Sequence, residues 1–214
     1  VPKPKDTTAS KRASGAGLGR AAAVERRTSE TTIRVSVDLD GSGRASVDTG
    51  VPFLDHMLDA LARHSLMDLD VHARGDTHID DHHTVEDVAL ALGQALDEAL
   101  GAKKGIVRFG HAEVPLDEAL VAATVDLSGR PYLVYNLKVR HHRVGNFATE
   151  LVNDFMQALS TTGKMNLHLN LRYGRNPHHI IEAAFKALAR ALKTAVTVDP
   201  RVRGVPSTKG SLVG

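Results

Sequence analysis

The chain has 214 residues, 42% of them hydrophobic and 24% charged, with 27 Lys and Arg against 25 Asp and Glu, which is enough to bury a real core. Cysteine and tryptophan are absent, which excludes a disulfide framework, thiolate metal sites and a cysteine nucleophile, and predicts an aliphatic, alanine-rich core. The longest runs free of Asp, Glu, Lys and Arg, Val88–Leu96 and Phe155–Gly163, are about half a membrane span, and no continuous apolar signal-peptide core is present. A soluble cytoplasmic protein is therefore expected.

Taken in chain order, residues 1–23 carry Lys3, Lys5, Lys11, Arg12 and Arg20 against Asp6 in a Gly-, Ala-, Ser- and Pro-rich setting and are expected to form a disordered basic tail. The isoelectric point of 8.9 thus belongs to the tail, and with no basic face or exposed aromatic platform, neither nucleic acid nor membrane is expected as a partner. Thr31–Leu39 alternates like a half-buried strand, Asp40–Gly43 reads as a turn, and Arg44–Asp48 as the returning strand of a hairpin. Pro52 precedes a helix over Phe53–Arg63. Leu66–Ala73 is a second alternating run, and His83–Leu100 an amphipathic helix stopped by Gly101. The order then recurs. Ala119–Leu127 and Tyr132–Val139 are strand-like, Val152–Leu159 matches Leu54–Leu61 as a short helix, Leu167–Tyr173 is a strand, and a long helix opens at His178. Residues 24–104 and 105–200 are read as duplicated β-β-α-β-α halves, followed by a C-terminal segment, 201–214. Two small sheets with four helices between them make an α+β architecture.

The duplication carries the chemistry. His82-His83-Thr84-Val85-Glu86 is matched by His178-His179-Ile180-Ile181-Glu182. On a helix, residues three and four apart share a face, so each Glu stands beside a His. Adjacent histidines diverge by about 100°, so both cannot easily chelate one ion, and two motifs point to a two-metal site. His56 and its repeat counterpart Asp154 are further ligand candidates. His141 and His142 lack the spaced glutamate and read as loop residues. His72, His78 and His111 have no patterned partner, and His168, mid-strand, reads as a hydrogen-bonded strand histidine or a site-lining one. Imidazole and carboxylate without sulfur suit Mn²⁺, Fe²⁺, Zn²⁺ or Ni²⁺. Arg108 in a glycine-flanked loop, Arg130 between strands, Lys186 two turns past His178, and Ser207 with Lys209 in Pro206–Gly210 are candidates for a phosphate pocket.

The stretches 50–59, 75–87, 126–132, 178–187 and 206–210 together resemble the imidazoleglycerol-phosphate dehydratase family, over nearly the whole chain from Glu25 to Lys209. The resemblance implies two four-stranded sheets enclosing a four-helix layer, and a shell of 24 subunits built from trimers. It also implies two Mn²⁺ per subunit at sites between subunits. It assigns His56, His82, His83, Glu86, His178, His179 and Glu182 as metal ligands, with the family's eighth position, His in some members and a carboxylate in others, falling on Asp154, a shorter carboxylate. Glu30 matches the catalytic acid/base. Arg108, Arg130, Lys186, Ser207 and Lys209 match contacts to the phosphate of a small imidazole substrate, and Ala60 replaces a glutamine found in many members.

That chemistry removes hydroxide from the carbon beside an imidazole ring and a proton from the next carbon. A metal-bound imidazolate expels the hydroxyl through a diazafulvene-like intermediate, and Glu30 takes the proton, giving imidazole acetol phosphate in histidine biosynthesis. The alternatives are a di-metal hydrolase, which would turn over generic phosphoesters, and a metal-storage shell, which would bind metal without catalysis.

Overall fold

The computed structural model describes residues 19–212. Most of the predicted tail lies outside them, but its end does not. The first strand, β1 (Ala21–Arg27), already includes three residues assigned to the tail. Their ladder with Asp38, Val37 and Ser36 holds them through backbone bonds, which an alanine-rich composition does not advertise.

The first half continues through β2 (Thr31–Asp38), β3 (Ala45–Asp48), α1 (Pro52–Ser65), β4 (Asp68–Gly75) and α2 (His82–Leu100). The second runs β5 (Phe109–Leu116), β6 (Ala119–Asp126), β7 (Tyr132–Asn136), the short hairpin β8 (Arg143–Val144) and β9 (Phe147–Ala148), α3 (Leu151–Thr162), β10 (Asn166–Tyr173) and α4 (Pro177–Val196). The sheets have matching orders, β1-β2-β4-β3 and β5-β6-β10-β7. Each four-stranded sheet has one strand more than the periodicity predicts, its opening strand β1 or β5, and the β8–β9 hairpin is a further unpredicted pair.

The predicted β2–β3 hairpin does not form. β3 lies parallel to β4 at the sheet edge, and β4 separates it from β2. Asp68 at the start of β4 is the reason: its Oδ1 accepts the backbone N–H groups of Ser42 and Arg44 at 2.7 and 2.9 Å, and its Oδ2 accepts from the Arg44 guanidinium at 2.6 Å. The turn is thereby drawn across the end of β4. Gly41 permits the approach, since a Cβ there would lie 2.5 Å from the Asp68 nitrogen.

The helices form the layer between the sheets. α2 covers β1 and β2, and α4 covers β5 and β6. Each short helix packs on the long helix of the other half, α1 on α4 and α3 on α2. The buried face of α4 is half alanine, with Ile180, Ile181, Leu188 and Leu192 among the larger residues, and Phe155 meets Phe185 with ring centroids 5.2 Å apart. Small residues let these helices lie close. A Cβ on Gly93 of α2 would sit 2.7 Å from the Leu159 carbonyl oxygen and 2.2 Å from Thr162 Oγ1 on α3. Gly93→Ala is therefore expected to destabilise the fold by about 1–3 kcal/mol through overpacking, although alanine is otherwise worth about 1 kcal/mol more than glycine inside a helix. Denaturant unfolding measures this, and a stabilised variant would contradict the close α2–α3 approach.

Candidate metal centre

The two long helices begin at the repeated histidines. Asn176 caps α4 by accepting the His178 N–H at 2.9 Å, with Pro177 in the first turn, and Asp80 Oδ1 accepts the His82 N–H at 2.8 Å. The pairing of α1 with α4 brings His56 to the first of these starts. Glu182 Oε2 accepts from Nε2 of His178 at 3.0 Å and of His56 at 3.3 Å. One donor atom from each of the three lies within 4.8 Å of the others, a nitrogen-and-oxygen set that fits a borderline divalent cation. Phe53 packs edge-on against the His178 ring at 5.3 Å and is itself backed by Phe147 at 5.1 Å, which fixes the ring planes. Burial pushes the Glu182 carboxyl up, but the Lys186 ammonium at 2.7 Å and both histidines outweigh it and hold it at about 2. The carboxylate is ready for a cation. A cleft of about 400 Å³ opens beside it, lined by His56, Ala60, His64, Glu182 and Lys186 among others.

The pairing of α2 with α3 makes the corresponding group, more loosely. His82 Nε2 stands 3.8 Å from Glu86 Oε2, while its Nδ1 faces Asp154 Oδ2 at 3.6 Å. Here Leu90 occupies the position of Lys186, and Glu86 is 47% exposed against 14% for Glu182. Tyr135 lies behind this group, its phenol pushed up to about 12 by burial and by the Asp154 charge.

His83 and His179 turn away from their neighbours, as the helical geometry predicts. The ring planes stand 77° apart in the first pair and 78° in the second. His83 Nδ1 donates to Asp76 at 3.0 Å and lies 3.8 Å from Glu30 Oε2. His179 Nδ1 donates to Glu118 at 2.7 Å. Both rings titrate above their ordinary range, because those carboxylates stabilise the protonated form. Asp76 and Glu118 were not among the sequence candidates. Glu118 was findable, since it precedes β6 as Glu30 precedes β2. His64, Phe53 and Phe147 carried no such signal.

Most of the phosphate candidates lie elsewhere. Arg108 pairs with Asp126 at 2.7 Å and donates to the Pro206 carbonyl at 2.9 Å, which gathers it with the Ser207–Lys209 segment. Arg130 lies exposed in the nearby β6–β7 connection. These groups stand at the start of β5 and the end of β6, whereas Glu118 and His179 stand at the other end of that hairpin, about 25 Å along an eight-residue strand. Lys186 alone joins the histidines. One chain thus holds the histidine clusters and most of the phosphate candidates as two separate groups. His72 and His111 lie exposed on the outer sheet faces and His168 is half-buried on one, while His78, His141 and His142 are exposed in loops.

The Glu118–His179 pair gives a pH test. Because the folded His179 pKa is raised, the pair stabilises the metal-free fold below the unfolded value near 6.5, and this contribution is lost as pH rises through the folded value. NMR titration of the imidazole signals checks it. Glu118→Gln should bring the His179 midpoint down, and an unmoved midpoint would refute the pairing.

The model of the imidazoleglycerol-phosphate dehydratase family matches residues 49–192. A dehydratase of that name from Ruegeria is 59% identical over 194 residues, 90% of this chain and all of the relative. Another, from Symbiobacterium thermophilum, is 57% identical over 96% of this chain and 99% of its own length. The crystal structure of the Staphylococcus aureus dehydratase superposes with a TM-score of 0.77 at 39% identity, covering 84% of this chain and 99% of that one. That from Pyrococcus furiosus gives 0.76 at 37% identity, covering 88% and 99%. The chain therefore belongs to the imidazoleglycerol-phosphate dehydratase family and is an enzyme of that hydro-lyase class.

Proposed function

We propose that the protein dehydrates imidazole glycerol phosphate to imidazole acetol phosphate in histidine biosynthesis, using two divalent ions per subunit, with Mn²⁺ as the ion. The observation that carries this reading is the repeated helix start. Each holds one histidine turned inward to a carboxylate and one turned outward to the surface. When bound, the ions supply Lewis acidity that favours a deprotonated imidazole ring. His56, His178 and Glu182 would hold an ion on one side, His82 and Glu86 with Asp154 on the other, and His83 and His179, turned outward, would supply ligands to ions shared with neighbouring subunits.

The remaining work falls to this chain's own groups. The substrate loses a hydroxyl from the carbon next to the ring and a proton from the carbon beyond. The Glu30 carboxylate, half-exposed and 3.8 Å from His83 Nδ1, takes that proton as general base. Arg108, Arg130, Ser207 and Lys209 hold the phosphate, with Lys186 approaching from the histidine side. Since those groups and the histidines occupy opposite ends of one chain, the reading requires a homo-oligomer in which one subunit's phosphate end meets another's metal end. A 24-subunit shell built from trimers is the proposed assembly.

An anaerobic, manganese-supplemented assay with imidazole glycerol phosphate tests the activity. Glu30→Gln should leave metal and substrate binding nearly intact while cutting kcat by about a hundredfold or more. A variant that keeps its turnover would remove Glu30 as the base. Arg108→Ala and Lys209→Ala should mainly raise KM. Chelation should reduce the oligomer to smaller folded species, because the ion's binding free energy belongs to the interface. Size-exclusion chromatography with circular dichroism reads the outcome, and an intact oligomer without metal would place all ligands of each ion within one subunit.

A further inference from the structure

We propose that Asp87 and Thr31 are a positioning pair that clamps the turn carrying Glu30 to the helix start carrying His82, His83 and Glu86, and that this clamp serves turnover rather than folding. The proposal rests on the reading of Glu30 as the base.

Asp87 lies on α2 one residue past Glu86, with its side chain only 10% exposed. Its Oδ2 accepts the hydroxyl of Thr31 at the start of β2, and its Oδ1 accepts from Arg26 Nε on β1 at 2.8 Å. Thr28 Oγ1 accepts the backbone N–H groups of Glu30 at 3.1 Å and Thr31 at 2.9 Å, and lies 3.2 Å from Thr31 Oγ1. Thr31 has one hydroxyl hydrogen, and it points to Asp87. The hydrogen between the two threonines therefore comes from Thr28. The hydroxyls line up as a relay of donors ending on the carboxylate, and the backbone of Glu30 hangs from its first member.

The duplication supplies an internal control. Thr28-Ser29-Glu30-Thr31 corresponds to Leu116-Asp117-Glu118-Ala119, and Asp87 to Ala183. Every polar member of the clamp has an apolar counterpart, Val114 standing for Arg26. The second half nonetheless makes the same strand pair and the same long helix, closing the strands with a tighter turn in which Asp117 takes a φ of 45°, and Ala119 and Ala183 are fully buried. Folding of this unit does not need the network, and a buried polar network carries a desolvation cost that alanine avoids.

The two glutamates differ in a matching way. Glu118 is held by its own carboxylate, which accepts from His179 and from the backbone N–H groups of Arg175 and Asn176 at 3.1 and 2.7 Å. The Glu30 carboxylate makes no hydrogen bond among the described residues. Its turn is held from behind instead. A group that must collect a proton needs this combination of a fixed backbone and an unengaged carboxylate.

Thr31→Val keeps the side-chain shape and removes the hydroxyl. It should lower kcat on the order of tenfold to a hundredfold, as misplacement of a reacting group does, while KM, metal content, oligomer size and circular dichroism stay near those of the parent. Thr31→Ser should restore kcat. The double variant Thr31→Ala with Asp87→Ala copies the second half and should fold with the same loss of kcat. Full turnover in Thr31→Val, a change in KM alone, or loss of fold in both variants would each overturn the proposal. Glu30→Gln, assayed alongside, separates the two ideas: if it keeps turnover, the reading of Glu30 as base has failed, whereas an inactive Glu30→Gln beside a fully active Thr31→Val rejects the clamp alone.

Discussion

Successive residues on an α-helix point about 100° apart, and the architecture of the site is organised around using both histidines at each of two helix starts under that constraint. One ring of each pair is turned in toward the partner helix from the other half of the chain. The other is turned out, and an acidic residue from the loops or turns around that helix start engages its Nδ1. For the outer rings the acidic partner leaves Nε2 as the other ring nitrogen, which in His179 lies 3.7 Å from Asp117 Oδ2. The acidic partners matter as much as the rings, because a carboxylate on Nδ1 fixes the tautomer that leaves Nε2 free to bind. The interlock of the halves matters equally. Had α1 packed within its own half, His56 would not face Glu182.

The duplicated halves are not electrostatically equal. The α1–α4 group is tightened by Lys186 and walled by Phe53 and Phe147, and Phe147 is delivered by the β8–β9 hairpin, which the first half lacks. The α2–α3 group has Leu90 and Leu151 at the places of Lys186 and Phe53, and a carboxylate at the place of His56. A carboxylate stands there in place of an imidazole, and its charge adds to burial in raising the phenol of the neighbouring Tyr135. Duplication provided the scaffold, and substitution at a few helix positions divided it into unlike surroundings.

The candidate metal ligands stood out in the sequence because polar pairs at the start of an otherwise apolar periodic segment have few structural uses, and a second copy removes most of those. The helices were legible for the same reason of period. The opening strands were not. β1 buries only Val24 fully, and β5 alternates but opens its inner face on Gly110 and Ala112 and is only half-buried past Gly110, so both edge strands carry a weak apolar signal. β3 was misread as a hairpin return because a Gly-rich turn carries no direction, and Asp68, which sets the direction, lies a whole helix away in the chain. The division of the polar residues between two ends of the molecule was also invisible, since motif spacing does not say how far a strand carries one motif from another.

That division has a consequence for symmetry. Helix α4 begins at the histidines, and near its end the Ala195 carbonyl accepts the N–H of Arg108. Its length of 20 residues spans about 30 Å. Gly110 seats β5 so closely on α4 that a Cβ there would lie 1.8 Å from the Ala191 carbonyl oxygen. The two groups are thus held at the ends of a rigid rod and cannot meet by bending. A site completed by the phosphate end of one subunit and the metal end of another joins unlike surfaces. Such a contact is heterologous and must either close into a ring or propagate without limit. In the proposed shell, threefold closure would remove the open ends, and an ion shared by histidines of two subunits would help fix the angle at which closure occurs.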